Sequence, residues 1–183
     1  VAIVMLAIAY FVYTQRKSKE RYNRLRYVDP ITGERSFTKF ILDAEASMKS
    51  SGKNAVFMVV DLVNLTLMRE RYGNHIGDEI LRFICNILRT HVHPDTIFAQ
   101  DHSGGFVVLG RYENKENLIE RLYQFRDAIA VPPPGVADGV ILQCNIGIYL
   151  SDGTVKDIMR MQNLATLAKT SIQDSTEHFF AFY

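Results

Sequence analysis

Apolar residues recur along this chain in two rhythms, and the switches between them mark out its elements. Residues 36–48 predict a helix, with Ser36 as its cap and Phe37, Phe40, Ile41 and Ala44 on one face. Ser50-Ser51-Gly52 end it. The run AVFMVVDLV, residues 55–63, is β-rich and apolar throughout, as for a central strand buried on both faces. A short helix over 65–72 stops at Gly73. The next, over 75–91, is clearly amphipathic: Ile76, Ile80, Phe83, Ile84, Ile87 and Leu88 keep a 3.6-residue period. Two short strands, 96–100 and 106–110, flank Gly104-Gly105, a dipeptide that tolerates positive φ and so predicts a hairpin. A helix over 115–130, the stiff connector Pro132-Pro133-Pro134-Gly135, a strand over 140–149, a helix over 155–171 and a last strand over 178–183 complete the pattern.

Read from residue 36, the order is α-β-α-α-β-β-α-β-α-β. The hairpin in its middle excludes a purely parallel doubly wound sheet. It predicts an α+β fold, a central mixed sheet flanked by helices.

Ahead of this lies VAIVMLAIAYFVY, residues 1–13, followed by Gln15-Arg16-Lys17-Ser18-Lys19. A helix of that length spans about 20 Å, short of the roughly 20 residues a bilayer requires. A signal peptide carries its basic residues before the apolar run, not after it. Basic residues directly after a span mark the cytosolic side. Residues 1–13 are therefore expected to be the end of a transmembrane helix, the alternative being a buried or interfacial helix. Residues 14–28 are expected to be a juxtamembrane signalling helix and residues 29–183 one cytoplasmic domain. Tyr22 and Leu25 give the helix a thin apolar stripe, suited to pairing in a dimer but too short to define a coiled coil. Asp29-Pro30 and Gly33 break it.

Composition narrows the function. The formal net charge is +1, without the basic excess of a nucleic-acid footprint. Cys85 and Cys144 belong to no metal-spaced cluster and read as buried thiols. His91, His93 and His102 lie close in sequence, but no HExxH or comparable ligand spacing accompanies them. There is no P-loop and no GxSxG.

Four segments carry a family resemblance. DPITGERSF (29–37) resembles D-x-L-T-G-L-x-N-R, with Ser36 and Phe37 where Asn and Arg are usual. DLVNLTLMRERYGNHIGDEIL (61–81) resembles D-I-D-x-F-K-x-I-N-D-x-Y-G-H-x-x-G-D-x-x-L, matching Asp61, Tyr72, Gly73, Gly77, Asp78 and Leu81 without a gap. FAQDHSGGFVVL stands where v-A-R-x-G-G-[DE]-E-F-x-x-L is expected. IGIYLSDG (146–153) resembles S-I-G-I-A, and Ala168-Lys169 the closing A-K-x-x-G-R. From Asp29 onward the chain thus resembles the GGDEF family of diguanylate cyclases, which implies a palm-like nucleotidyl-cyclase fold.

The resemblance implies a reaction joining two GTP molecules, one on each of two facing domains, with Mg²⁺ held by carboxylates. Its metal ligands fall on Asp61 and on the first acid of the hairpin. Without gaps, both hairpin acids fall on Gly104 and Gly105, the family Gly-Gly falls on His102-Ser103, and Phe106 keeps the family Phe. A gapped alignment pairs Gly104-Gly105 with the family Gly-Gly and deletes both acids. Either way no carboxylate remains. Asp101 is expected on the opposite strand face, and a neutral His102 is a poor magnesium ligand. The guanine-reading Asn falls on Arg69 and the guanine-reading Asp on Asp78. The Lys after the first strand falls on Thr66. Lys169 keeps one phosphate-holding position, and Gln173 replaces the other. Asn64 joins Asp61, Arg69, Asp78 and Lys169 as a candidate nucleotide-binding residue. The product-inhibition motif Arg-x-x-Asp would fall on His93–Thr96 and is absent. Each survivor also has a plainer reading: Asp78 as a helix cap, Asp61 as a turn acceptor, Lys169 and Arg69 as solvated surface charges.

The expected function is a noncatalytic, signal-relaying domain in cyclic-di-GMP signalling, on the cytoplasmic face of a bacterial inner membrane. Expected partners are GTP as a candidate effector, a second copy in a homodimer, and a fused or partner EAL phosphodiesterase domain. The alternatives are an active diguanylate cyclase with substituted acids and a pure dimerisation module.

Overall fold

The computed structural model describes residues 2–50, 54–131, 141–175 and 177–183. Its elements follow the predicted order: α1 (Ala2–Tyr27), α2 (Phe37–Ser50), β1 (Ala55–Val63), α3 (Leu65–Tyr72), α4 (Asn74–His91), β2 (Ile97–Gln100), β3 (Phe106–Arg111), α5 (Lys115–Ala130), β4 (Gln143–Leu150), α6 (Ile158–Thr170) and β5 (Phe180–Phe182). The strands form one five-stranded sheet in the order β2-β3-β1-β4-β5. All neighbours are antiparallel except β4 and β5, which run parallel, so the sheet is mixed.

Strand β1 lies in the middle and buries both faces. Val56, Val60 and Leu62 pack with Ile80, Ile84 and Leu88 of α4 and with Leu118, Leu122 and Ile129 of α5. Ala55, Phe57 and Val59 take the other face, against Phe40 and Ala44 of α2 and Met161 and Ala165 of α6. Period-2 alternation on a two-sided strand explains why the sequence there reads as an unbroken apolar run. Each face buries enough branched and aromatic surface to fix the register, because a slip of one residue would exchange the two cores.

The helix ends are set by local chemistry. Ser36 Oγ accepts from Lys39 N at 3.2 Å and donates to the Arg26 carbonyl at 2.6 Å, so one hydroxyl caps α2 and ties it back to α1. The helix expected over 155–171 begins only at Ile158, because Asp157 Oδ1 accepts from the N–H groups of Met159 and Arg160 and ends the preceding loop there. The last strand shortens from 178–183 to Phe180–Phe182. Pro132-Pro133-Pro134-Gly135, the first residue of the strand expected over 140–149, and Ser51-Gly52 lie outside the described residues.

Helix α1 joins the apolar run to the basic segment without a break. Among the described residues no helix is long and apolar enough to cross a membrane by itself. Arg16, Lys17, Lys19, Glu20 and Arg21 fall inside the same helix and dilute its apolar stretch. Its end is bolted to the domain. Asp29 Oδ1 accepts from Ile31 N, Thr32 N and Thr32 Oγ1, closing the turn. Arg82 of α4 donates to the Ile31 carbonyl at 2.9 Å, and Arg89 of α4 pairs with Glu34.

Both cysteines are free and buried, as their sequence context implied. Burial pushes the Cys85 thiol up to about 11 and the Cys144 thiol up to about 12. Thiolate is the reactive form. Ellman's reagent at pH 8 is expected to react with neither thiol in the folded protein and with both in denaturant.

Gly147 sets how closely α6 approaches the sheet. A Cβ there would lie 1.8 Å from the Ala165 carbonyl oxygen and 2.6 Å from Lys169 N. Gly147→Ala must therefore push α6 off β4, with an expected loss of about 3 kcal/mol on the scale of overpacked cores. Urea unfolding measures it; a loss under about 1 kcal/mol would mean that α6 is not held at that distance.

Candidate functional site

The hairpin between β2 and β3 spans Asp101–Gly105, beside the C-terminal half of β1. Asp101 organises it. Its Oδ1 accepts from Ser103 N at 2.9 Å, Ser103 Oγ at 2.6 Å and Gly105 N at 3.0 Å, while its N–H donates to the Gly105 carbonyl. This corrects the expectation that Asp101 stands on the far strand face. Regular alternation stops at Gln100, and the carboxylate folds back to satisfy the turn's own donors. The spacing of an Asp at the first loop position before Ser-Gly-Gly was the available signal.

The two glycines have different reasons. Gly104 has φ +89°, and a Cβ there would meet only Leu65 Cδ2 at 3.5 Å, so its constraint is backbone conformation. Gly105 has no positive φ. Its constraint is space, because a Cβ would stand 2.2 Å from the Val60 carbonyl oxygen. The sequence reading assigned positive φ to the pair; only Gly104 uses it. Phe106 is 1% exposed and anchors the hairpin in the core, and His102 meets Phe37 of α2 edge-on with ring centroids 5.0 Å apart.

Asp61 lies within β1, opposite Asn145 of β4. It shares the parity of Ala55, Phe57 and Val59, the residues that face α2 and α6. Its partner accordingly comes from α6: Lys169 Nζ donates to Asp61 Oδ2 at 3.1 Å. The lysine side chain is 18% exposed, so it is not the solvated charge of the plainer reading. Nor is Asp61 a turn acceptor.

Arg69 of α3 and Asp78 of α4 also meet, Nη2 to Oδ1 at 3.2 Å. Asp78 sits in the second turn of α4 and does not cap it; Gly73 occupies the cap position without a side-chain bond. Asn64 is exposed and left-handed, φ 66°, with no capping bond from its side chain. It turns the chain from β1 into α3, a conformation that asparagine tolerates better than most residues.

Four of the five nucleotide-binding candidates thus form two ion pairs, Asn64 is in neither, and the signature segment forms the hairpin. The donor set does not fit a bound magnesium ion. Asp61 already meets an ammonium, positions 104 and 105 carry no side-chain oxygen, and among the described residues no group of three or more His, Cys, Asp or Glu could hold a metal. A cavity of about 500 Å³ lies at the other end of β1, lined by Val56, Met58, His93, Thr96 and Arg121 among others. It belongs to a different end of the sheet from the hairpin, and the ion pairs locate the candidate site better than cavity size does.

Comparison with known proteins agrees with the fold. The fold matches the coiled coil and GGDEF domain of DgcB from Caulobacter crescentus, solved in complex with c-di-GMP. The TM-score is 0.81 at 14% identity, covering 98% of this chain and 97% of that one. It also matches the diguanylate cyclase SiaD from Pseudomonas aeruginosa, solved with its activator SiaC, at TM-score 0.75 and 15% identity, covering 99% and 72%. At such identities the likeness is one of fold. The cyclic di-GMP phosphodiesterase PdeR of Escherichia coli (strain K12) is 24% identical over 139 residues, 75% of this chain and 21% of that protein. The chain therefore spans about a fifth of the length of the curated relative it matches. The family model described as "Diguanylate cyclase, GGDEF domain" matches residues 26–176, and with that match over the same sheet, hairpin and helices, the chain belongs to the GGDEF domain family.

Proposed function

We propose that this chain is a regulatory domain of cyclic-di-GMP signalling that relays a conformational signal and does not condense GTP. The observation that carries the reading is the charge at the hairpin end of β1. The carboxylate of Asp61 is already compensated by Lys169, and neither Gly104 nor Gly105 offers a second. Phosphoryl chemistry of this kind needs groups that stabilise charge developing on the transferred phosphorus centre. Here the acid that would recruit a divalent cation is spent on an internal cation instead.

The relay half of the reading rests on α1. This helix ends in the Asp29 turn, and two arginines of α4 grip that turn. Tyr22 and Leu25 are exposed on it, 61% and 77%, and form the surface on which a second copy pairs. The output is an EAL-type phosphodiesterase domain, fused or bound. The names of similar proteins support that choice: PdeR is a cyclic di-GMP phosphodiesterase, and a Vibrio cholerae LapD structure of S helix, GGDEF and EAL covers 94% of this chain at 14% identity with TM-score 0.73. A guanine nucleotide enters as the candidate effector, at Asp61, Asn64, Arg69, Asp78 and Lys169.

Incubating concentrated protein with GTP and magnesium, then separating the nucleotides by chromatography, is expected to yield no cyclic-di-GMP; its appearance above a protein-free control would sink the reading. Restoring acids is not expected to rescue the reaction. Gly104→Asp keeps the fold at a cost of about 1 kcal/mol for its positive φ. Gly105→Glu drives a Cβ into the Val60 carbonyl and is expected to lose about 3 kcal/mol or more. Parallel urea titrations compare them, and a Gly105→Glu protein as stable as the parent would contradict the packing argument.

A further inference from the structure

The groove between α3 and α4 is filled by one of its own side chains. Gly77 lies in the first turns of α4, and a Cβ built there would stand 2.3 Å from Arg69 Nε and 2.4 Å from Arg69 Cγ. The stem of Arg69 therefore lies on bare backbone, a position that only glycine at 77 permits. From there its Nη2 reaches Asp78 Oδ1. The contact is not fully satisfied: Arg69 Nε is buried without a hydrogen-bond partner among the described residues. A buried donor left unpaired raises the free energy of the state that buries it. The closed arrangement is held by one charge pair and by packing, and opposed by one orphaned N–H.

This matters for what the groove can take. A guanine edge presents N–H donors, and a carboxylate is the acceptor that suits them. Asp78 is the carboxylate of this groove, its charge is met by Arg69, and the space over Gly77 is occupied by the same side chain. We propose that Arg69 is a built-in plug and the specificity-determining residue of this groove: it keeps guanine nucleotides out until the guanidinium leaves Gly77 and Asp78. The inference rests on the reading above that this groove is the effector site. It adds that the site is closed by the protein's own cation rather than lost.

Two variants open the groove by different means. Arg69→Asn removes both stem and charge. Gly77→Ala keeps the charge but evicts the stem. Calorimetric titration of the full chain with GTP, with magnesium and again in EDTA, is expected to show Arg69→Asn and Gly77→Ala each binding at least tenfold more tightly than the parent. Circular dichroism melting confirms that each variant is folded. Equal affinity for parent and Arg69→Asn, tighter binding by the parent, or no binding heat from any of the three proteins overturns the plug. Chromatography of the same samples keeps the two ideas apart. Cyclic-di-GMP made by the parent would end the noncatalytic reading, while the affinity ratio alone judges Arg69.

Discussion

Strand β1 is hydrogen-bonded on both sides, to β3 and to β4, and cannot yield sideways without breaking one ladder or the other. Its Val60 carbonyl lies where a Cβ on Gly105 would stand, and its next residue is Asp61. The hairpin, the carboxylate and the helix that supplies Lys169 are all positioned against this one strand. The hairpin closes on it through the missing side chain of Gly105. Helix α6 closes on its neighbour β4 through the missing side chain of Gly147. Two absent methyl groups thus bring the turn and the lysine to the same end of the sheet.

Close approach has an electrostatic consequence. The Asp61 side chain stays 42% exposed, and either a metal ion or an ammonium can supply its counter-charge. In this chain the ammonium comes from Lys169, held in place because α6 sits so near β4. The same logic recurs between α3 and α4, where Arg69 answers Asp78. Both acids that the resemblance ties to ligands are answered from within the protein. The site is electrically complete as it stands, and any ligand must compete with a covalently tethered cation whose effective concentration is high.

Much of this fold was legible in the sequence. The unbroken apolar run of β1, the 3.6-residue period of α4 and the Gly-Gly hairpin identify their elements directly, because burial imposes those periods. The boundaries that moved, at Asp157 and around Phe180, are places where a capping bond or a pairing limit decides the end. The site was legible only in its residue types. Lys169 is 108 residues from Asp61, and nothing in a linear pattern joins them. Arg69 and Asp78 are nine residues apart across a helix corner, a spacing that matches no helical face. Their pairing depends on the angle at Gly73, whose φ of +93° sets α4 against α3. The distinction between Gly104 and Gly105 was equally hidden, since a strained backbone and a crowded Cβ both select glycine.

Helix α4 links the two ends of the proposed relay. Arg82 and Arg89 on it hold the Ile31 carbonyl and Glu34, at the turn where α1 enters the domain. Asp78, nearer its N-terminus, holds Arg69. Between these points Ile80, Ile84 and Leu88 pack the helix into the core, so a displacement at one end would be carried to the other by a rigid body. In the proposed relay, a change in how α1 pairs or rotates reaches α4 through the contacts of Arg82 and Arg89. Rigidity alone does not make a switch; that requires an element with two arrangements. The Arg69 guanidinium has the attributes of one: a charge partner that favours the closed arrangement, an unpaired Nε that disfavours it, and a bare glycine beneath it that permits either.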